Sequence, residues 1–198
     1  FVKKECLRLD IPCHIKVLDY TSLSKGNFQS NARDARYLFF ESIILEKQID
    51  LLATAHHMDD RWETFFMNLN RKSGIAGLTS LKPRVQNIIR PLMSFEKTEI
   101  LCYAHEHNIA FVEDASNDTD YYTRNKVRHH LTKAANDIFP DFVKNVNQSI
   151  NNLEKSNNLI DSLILAGSFM DQSNDRQVVD IEKVKSVGST TELLYHIL

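Results

Sequence analysis

Long apolar runs are missing from these 198 residues. No stretch approaches the ~20 residues that a membrane-spanning helix requires, and no secretory leader pattern is visible. A general excess of positive charge is missing too. Lys and Arg number 24 against 26 Asp and Glu, a formal net charge of −2. That excludes a uniformly basic nucleic-acid coat while leaving room for a local basic face. Cysteine is scarce: Cys6, Cys13 and Cys102 are odd in number and lack metal-ligand spacing. They read as free, buried thiols in a reducing, cytoplasmic setting rather than as a disulfide framework. The chain is long enough for one good core or two small ones.

What is present concentrates between Thr54 and Thr64, in the run Thr54-Ala55-His56-His57-Met58-Asp59-Asp60-Arg61-Trp62-Glu63-Thr64. The apolar residues 49–53 before it read as a short buried strand, and 60–71 as a helix. The polar cluster therefore sits where a strand ends and a helix starts, the place where open α/β sheets bind ligands. One reading is purely structural, with Asp59 as the helix N-cap and the histidines as loop residues. The density of groups favours chemistry. Asp60 and Glu63, at i and i+3, share a helix face. Two such carboxylates cost free energy unless a cation, a proton or a metal offsets them. The expectation is that they lie on one open face within reach of Arg36 or Arg128, with Asp60 in the first helical turn.

The rest of the chain supplies an α/β alternation. Residues 2–9 read as the end of a helix, and 11–18 as a strand entered through Pro12. Residues 32–47 read as an amphipathic helix whose apolar stripe is Ala35, Leu38, Phe39, Ser42, Ile43 and Leu45. Residues 88–92 are extended, because Pro91 biases Arg90 away from helix, and 95–108 form a helix capped by Ser94. Residues 113–122 are a polar loop. Gly74 is either a plain helix C-cap or part of a phosphate-facing loop. Beyond Pro140 a long helix runs over 142–165, followed by a strand and a helix over 177–198. Strands alternating with helices predict a partial Rossmann-like parallel sheet over 1–135, then helices and the start of a small second domain over 136–198. Arg124, Lys126, Arg128, His129, His130 and Lys133 form a basic cluster, either a solvated helix end or a set of phosphate contacts for which Arg offers a bidentate fork. Arg33 and Arg36 form a second positive pair.

Four stretches in order resemble the tRNA(Ile)-lysidine synthetase family of N-type ATP pyrophosphatases. His56 to Thr64 matches H-H-x-D-D-Q-A-E-T. Ala32-Arg33-Asp34-Ala35-Arg36-Tyr37 matches A-R-x-x-R-Y, and Gly74-Ile75-Ala76-Gly77-Leu78 matches G-x-x-G-L. Glu113-Asp114-Ala115-Ser116-Asn117 with Arg124-Asn125-Lys126-Val127-Arg128 matches E-D-x-S-N followed by R-N-x-[IV]-R. Two departures stand out. Arg61 and Trp62 replace the usual Gln and Ala, and the family's Ser-Gly-Gly-x-Asp-Ser nucleotide loop is not among these residues, which leads us to expect a further segment upstream.

The resemblance implies the fold of the adenine nucleotide alpha hydrolases, ATP and Mg²⁺, and an isoleucine tRNA with a CAU anticodon whose first anticodon cytidine is adenylated at O2. The L-lysine ε-amine then displaces AMP. On that basis Asp60, Glu63, Arg36 and Arg128 are the candidate catalytic residues, and His56, His57, Arg33, Gly74, Arg124 and Asn125 would bind nucleotide. Arg124, Lys126, Arg128 and Lys133, helped by Arg71 and Lys72, would meet the tRNA backbone. No metal ligand is assigned, and homodimerisation is left open. Two alternatives remain: a tRNA 2-thiolation enzyme on the same fold, which would need cysteines near the motifs, and a non-enzymatic RNA-binding fragment.

Overall fold

A computed structural model describes residues 1–18, 28–114, 119–166, 170–173 and 176–179. In chain order the elements are α1 (Val2–Arg8), α2 (Phe28–Lys47), β1 (Leu52–Ala53), α3 (Met58–Asn70), α4 (Ile75–Leu78), β2 (Arg84–Val85) and β3 (Ile88–Ile89). A 3-10 turn (Pro91–Ser94) leads into α5 (Lys97–Glu106). Then come α6 (Thr123–Lys126), a π-helical turn (Val127–Thr132), α7 (Lys133–Ile138), α8 (Phe142–Ala166), β4 (Met170–Ser173) and β5 (Arg176–Val179). They fall into two compact units. The first joins Phe1–Asp59 with Lys82–Asn125; the second joins Asp60–Leu81 with the described part of Lys126–Leu198.

The first unit carries a small mixed sheet in the order β1-β3-β2. β1 runs parallel to β3, with Leu52 opposite Ile88, and β2 is antiparallel to β3, with Val85 opposite Ile88. The parallel pair follows the α/β expectation. The β2–β3 hairpin was not anticipated, because its tight turn uses Gln86 at φ 50° instead of the Asn-Gly or Asp-Gly pairs that announce such turns. The expected strand over 11–18 is a correction. Its residues enter no ladder among those described, and Ile11, Ile15 and Val17 are exposed. An extended stretch without a hydrogen-bonded neighbour is not a strand, whatever its alternation. Helix α2 forms where expected, but Leu38 and Leu45 face outward while Tyr37, Phe39, Phe40, Ile43 and Ile44 are half-buried. The cysteines are free, yet only Cys6 is partly covered; Cys13 and Cys102 are exposed.

Glycine is scarce, with five residues in the chain, and four of the described helices end without it. Asp10, Gln48, Lys72 and Asn108 each adopt φ between 52° and 60° just past α1, α2, α3 and α5. The next amide closes a Schellman-type loop each time: Ile11 N–H to Cys6 O, Ile49 N–H to Ile44 O, Ser73 N–H to Asn68 O and Ile109 N–H to Ala104 O, at 2.8–3.1 Å. Lys72, not Gly74, therefore terminates α3. Gly74 has φ −69° and stands as N-cap of α4.

In the second unit Trp62, Val127, Val143, Ile150 and Ile164 are the buried apolar side chains among the described residues. The Trp62 ring meets Phe142 edge-on at 4.8 Å and Phe66 at 5.4 Å, joining α3 to α8. Helix α8 forms as the periodicity predicts. β4 and β5 form an antiparallel hairpin, Met170 opposite Val179; the helix expected in the final residues lies outside the described residues. No helix among the described residues is long and apolar enough to cross a membrane.

Candidate active site

In the second unit two sequence-distant motifs meet. Arg128, on the π-helical turn, donates through Nε to Glu63 Oε1 at 2.7 Å and through Nη2 to Glu63 Oε2 at 3.0 Å. The same Nη2 lies 3.5 Å from Asp60 Oδ1. This is the bidentate fork that only Arg makes with a carboxylate. It places Asp60, Glu63 and Arg128 together as expected, with one correction. Glu63 is not on an open face: it is 1% exposed, whereas the Asp60 side chain keeps 15% and Arg128 24%. The charge offset that two neighbouring carboxylates require is supplied within the chain by the guanidinium. Arg128 thus turns its Nε and Nη2 toward these two carboxylates.

Of the other candidates, Gly74 belongs to the same unit. Arg33, Arg36, His56, His57, Arg124 and Asn125 belong to the first. There, Thr54 Oγ1 and His56 Nδ1 are in hydrogen-bond contact at 2.9 Å, and His57 Nδ1 lies 3.3 Å from Asp59 Oδ2. Arg33 and Arg36 are exposed on α2, the Arg33 guanidinium 5.6 Å from the Tyr37 ring centre. Asn125 is buried and donates to Thr119 O at 2.7 Å, so it ties down the loop before α6. Ser116 and Asn117 lie outside the described residues.

Asp59 does not cap its own helix, which is a second correction. Helix α3 starts at Met58, so Asp59 already sits in the first turn. Its Oδ2 instead accepts the Lys97 N–H at 2.8 Å, at the start of α5. Glu96, not Ser94, is the N-cap there, and it forms a capping box with Glu99. Burial resists ionisation of the Asp59 carboxyl, but the bonds from His57 and Lys97 outweigh it and hold its pKa below the ordinary value. A lowered folded pKa gives stability that is fully present above the unfolded value of about 3.9 and is lost as pH falls through the folded one. Asp59→Ala should therefore cost about 1.5–3 kcal/mol at pH 7, the usual worth of a hydrogen bond to a charged group. Urea unfolding at pH 7 and pH 3 checks this: a deficit that does not shrink in acid contradicts the assignment.

In the Gly-x-x-Gly-Leu stretch, Gly77 is a position where a side chain meets crowding. A Cβ on Gly77 would lie 2.8 Å from Ser73 Cβ, and Asn68 Nδ2 donates to Gly77 O at 2.9 Å. Thr79, 1% exposed, closes the turn by donating to Ile75 O at 2.9 Å. Gly77→Ala should lower stability by about 1–3 kcal/mol through overpacking. A thermal melt within a degree of the parent would show that Ser73 yields freely.

Arg61 is also structural. Nη1 donates to Asn151 Oδ1 at 2.5 Å and Nη2 to Glu154 Oε2 at 2.7 Å, which fastens α3 to α8. Burial pulls the Arg61 pKa down while Glu154 opposes the shift.

No group of three or more His, Cys, Asp or Glu side chains among the described residues could hold a metal ion. A Mg²⁺ carried by nucleotide phosphates asks for one or two protein carboxylates. Asp60 and Glu63 match that number, but Glu63 is buried and gives both oxygens to Arg128. As placed, the pair does not fit a divalent ion.

The PP-loop domain family matches residues 1–135. The chain is similar to the tRNA(Ile)-lysidine synthase of Bacteroides thetaiotaomicron, 35% identical over 179 residues, covering 89% of this chain and 41% of that protein. It is similar to the same enzyme of Bacillus subtilis, 35% identical over 170 residues, with 82% and 36% covered. For that of Rickettsia rickettsii the identity is 44% over 116 residues, with 57% and 24% covered. The chain thus spans less than half the length of each of these relatives. Among solved structures it resembles the U34-tRNA thiolase NcsA from Methanococcus maripaludis, determined with its [4Fe-4S] cluster. The TM-score is 0.57 at 18% identity, over 78% of this chain and 54% of that one. That likeness speaks to fold alone: a small mixed sheet followed by helices, Rossmann-like in type.

Proposed function

This chain belongs to the PP-loop ATP pyrophosphatase superfamily, in its tRNA(Ile)-lysidine synthase family, and from that premise we propose that it serves in ATP-dependent tRNA modification. The finer proposal is ligation of L-lysine to C2 of the first anticodon cytidine in an isoleucine tRNA with a CAU anticodon. Cytidine O2 attacks the α-phosphate of ATP and pyrophosphate leaves. The lysine ε-nitrogen then attacks C2, and AMP departs with the oxygen. Residues 1–135 would form the catalytic domain, and 136–198 a linker with the start of a C-terminal domain.

The observation that carries this reading is the meeting of Arg128 with Glu63 and Asp60, because it joins two of the four matching motifs across 65 residues of sequence. Asp60, the more accessible carboxylate, can orient the lysine ammonium and accept its proton before attack. Glu63, buried and doubly bonded, orients Arg128. Arg128 carries a fixed positive charge, which favours the negative charge developing on phosphate. The phosphate-cradling Ser-Gly-Gly-x-Asp-Ser loop is not among the 198 residues. The thiolation alternative finds little support: Cys6, Cys13 and Cys102 lie outside all four motifs.

The test is ATP-dependent incorporation of radiolabelled lysine into isoleucine tRNA transcripts. We expect incorporation, with AMP release, into the CAU transcript and not into a GAU one; absence of incorporation in the complete protein overturns the proposal. Binding should also weaken steeply with salt, because the exposed Arg71, Lys72, Lys126 and Lys133 offer backbone contacts that position an RNA without reading it. Lys126→Ala should lower the salt slope by about one for cognate and non-cognate tRNA alike. A flat salt titration contradicts the basic-surface reading.

A further inference from the structure

We propose that Trp62 and Thr132 are positioning residues that hold Arg128 against Glu63. The proposal rests on the reading of Asp60, Glu63 and Arg128 as the reacting centre. Arg128 stands on a π-helical turn, Val127–Thr132, a rare conformation that needs local support and recurs at functional sites. One hydroxyl lends such support here. Thr132 Oγ1 donates to Val127 O at 3.1 Å, across the turn itself, and accepts from Trp62 Nε1 at 2.9 Å. A hydroxyl has one proton and two lone pairs, so both bonds hold at once.

The donor is fixed in turn. Trp62 is 3% exposed and clamped between Phe142 and Phe66, while its neighbour Arg61 is bonded to Asn151 and Glu154. Trp62 and Glu63 are consecutive on α3, and Thr132 and Arg128 are four apart on the turn. The two contacts, 62 to 132 and 63 to 128, are therefore adjacent rungs between the same two elements. In the motif that the chain matches apart from positions 61 and 62, position 62 is Ala, which has no side-chain N–H to offer. The outer rung is thus supplied by one of this chain's two departures from the pattern.

The test uses Thr132→Val, which keeps the shape and removes the hydroxyl, Thr132→Ser, which restores it, and Trp62→Phe, which keeps an aromatic ring and removes the donor. In the purified protein labelled with ¹⁵N-arginine, Arg128→Lys identifies the Arg128 Nε–H resonance. We expect that resonance to exchange slowly in the parent and in Thr132→Ser, and to be lost in Thr132→Val and Trp62→Phe. Lysine transfer should show kcat reduced on the order of ten- to a hundredfold in the last two, with KM for ATP and tRNA within about twofold and rescue in Thr132→Ser. A retained resonance in Thr132→Val, or in Trp62→Phe should the valine variant not fold, overturns the positioning role. Loss of the resonance with unchanged kcat upholds the positioning and overturns the part assigned to Arg128 in the reaction.

Discussion

Arg128→Ala is expected to destabilise the protein by about 3–5 kcal/mol. Glu63 is 1% exposed and gives both carboxylate oxygens to Arg128. Truncation takes a guanidinium away from a carboxylate buried from water, which is the costly way to break an ion pair. Against a typical stability of about 5–15 kcal/mol, that loss is a large fraction of the whole. Arg128→Lys should recover only part of it, since an ammonium cannot reproduce the two parallel bonds. The double variant Arg128→Ala with Glu63→Gln should be more stable than Arg128→Ala alone, because a neutral amide leaves no charge to strand. Urea unfolding of the three proteins checks the set. A loss below 1 kcal/mol for Arg128→Ala would mean that other groups or water hold Glu63 in its place.

Asp60→Asn is expected to abolish chemistry while sparing structure. Asn keeps the shape of the carboxyl and loses its capacity to take a proton. General acid–base contributions run to about 10²–10⁴-fold, so lysine transfer should fall by that order. Binding of tRNA, which depends on the exposed basic residues, should change less than about twofold. Glu63→Gln should instead affect stability and rate together, since Glu63 acts through Arg128. Single-turnover lysine transfer beside filter binding separates the two variants. Full turnover in Asp60→Asn would remove Asp60 from the reaction.

The α/β order and the meeting of Asp60, Glu63 and Arg128 were legible in the sequence, for physical reasons. Asp60 and Glu63 declare themselves by helical spacing, and Arg128 by its place in a basic cluster that matches a family motif. What failed depends on partners distant in sequence. Asp59 looked like a cap because its own helix is adjacent, yet its hydrogen bond goes to Lys97, 38 residues on. Ile11 to Leu18 carries strand-like composition, but a strand is defined by its neighbour. Gly74 reads locally as a glycine ending α3, yet it caps the next helix, and the crowding at Gly77, 2.8 Å to Ser73, has no signature in the sequence. Burial was the other unreadable quantity: nothing in the run from His56 to Thr64 says that Glu63 is enclosed and Asp60 is not.

The helix ends without glycine bear on the order in which this chain folds. After α1, α2 and α5 the left-handed residue is followed each time by isoleucine: Asp10-Ile11, Gln48-Ile49 and Asn108-Ile109. Each loop closes over a handful of residues, on the scale of helix–coil relaxation, about 0.1–1 μs. The parallel register of Leu52 with Ile88 closes a far longer loop and waits on diffusion of the chain. The helices of the first unit are therefore expected to have their ends set before its sheet exists. A non-glycine residue at each of these ends also leaves the unfolded chain fewer conformations to lose, so the strain held in four backbone angles is partly returned as a smaller entropy of folding.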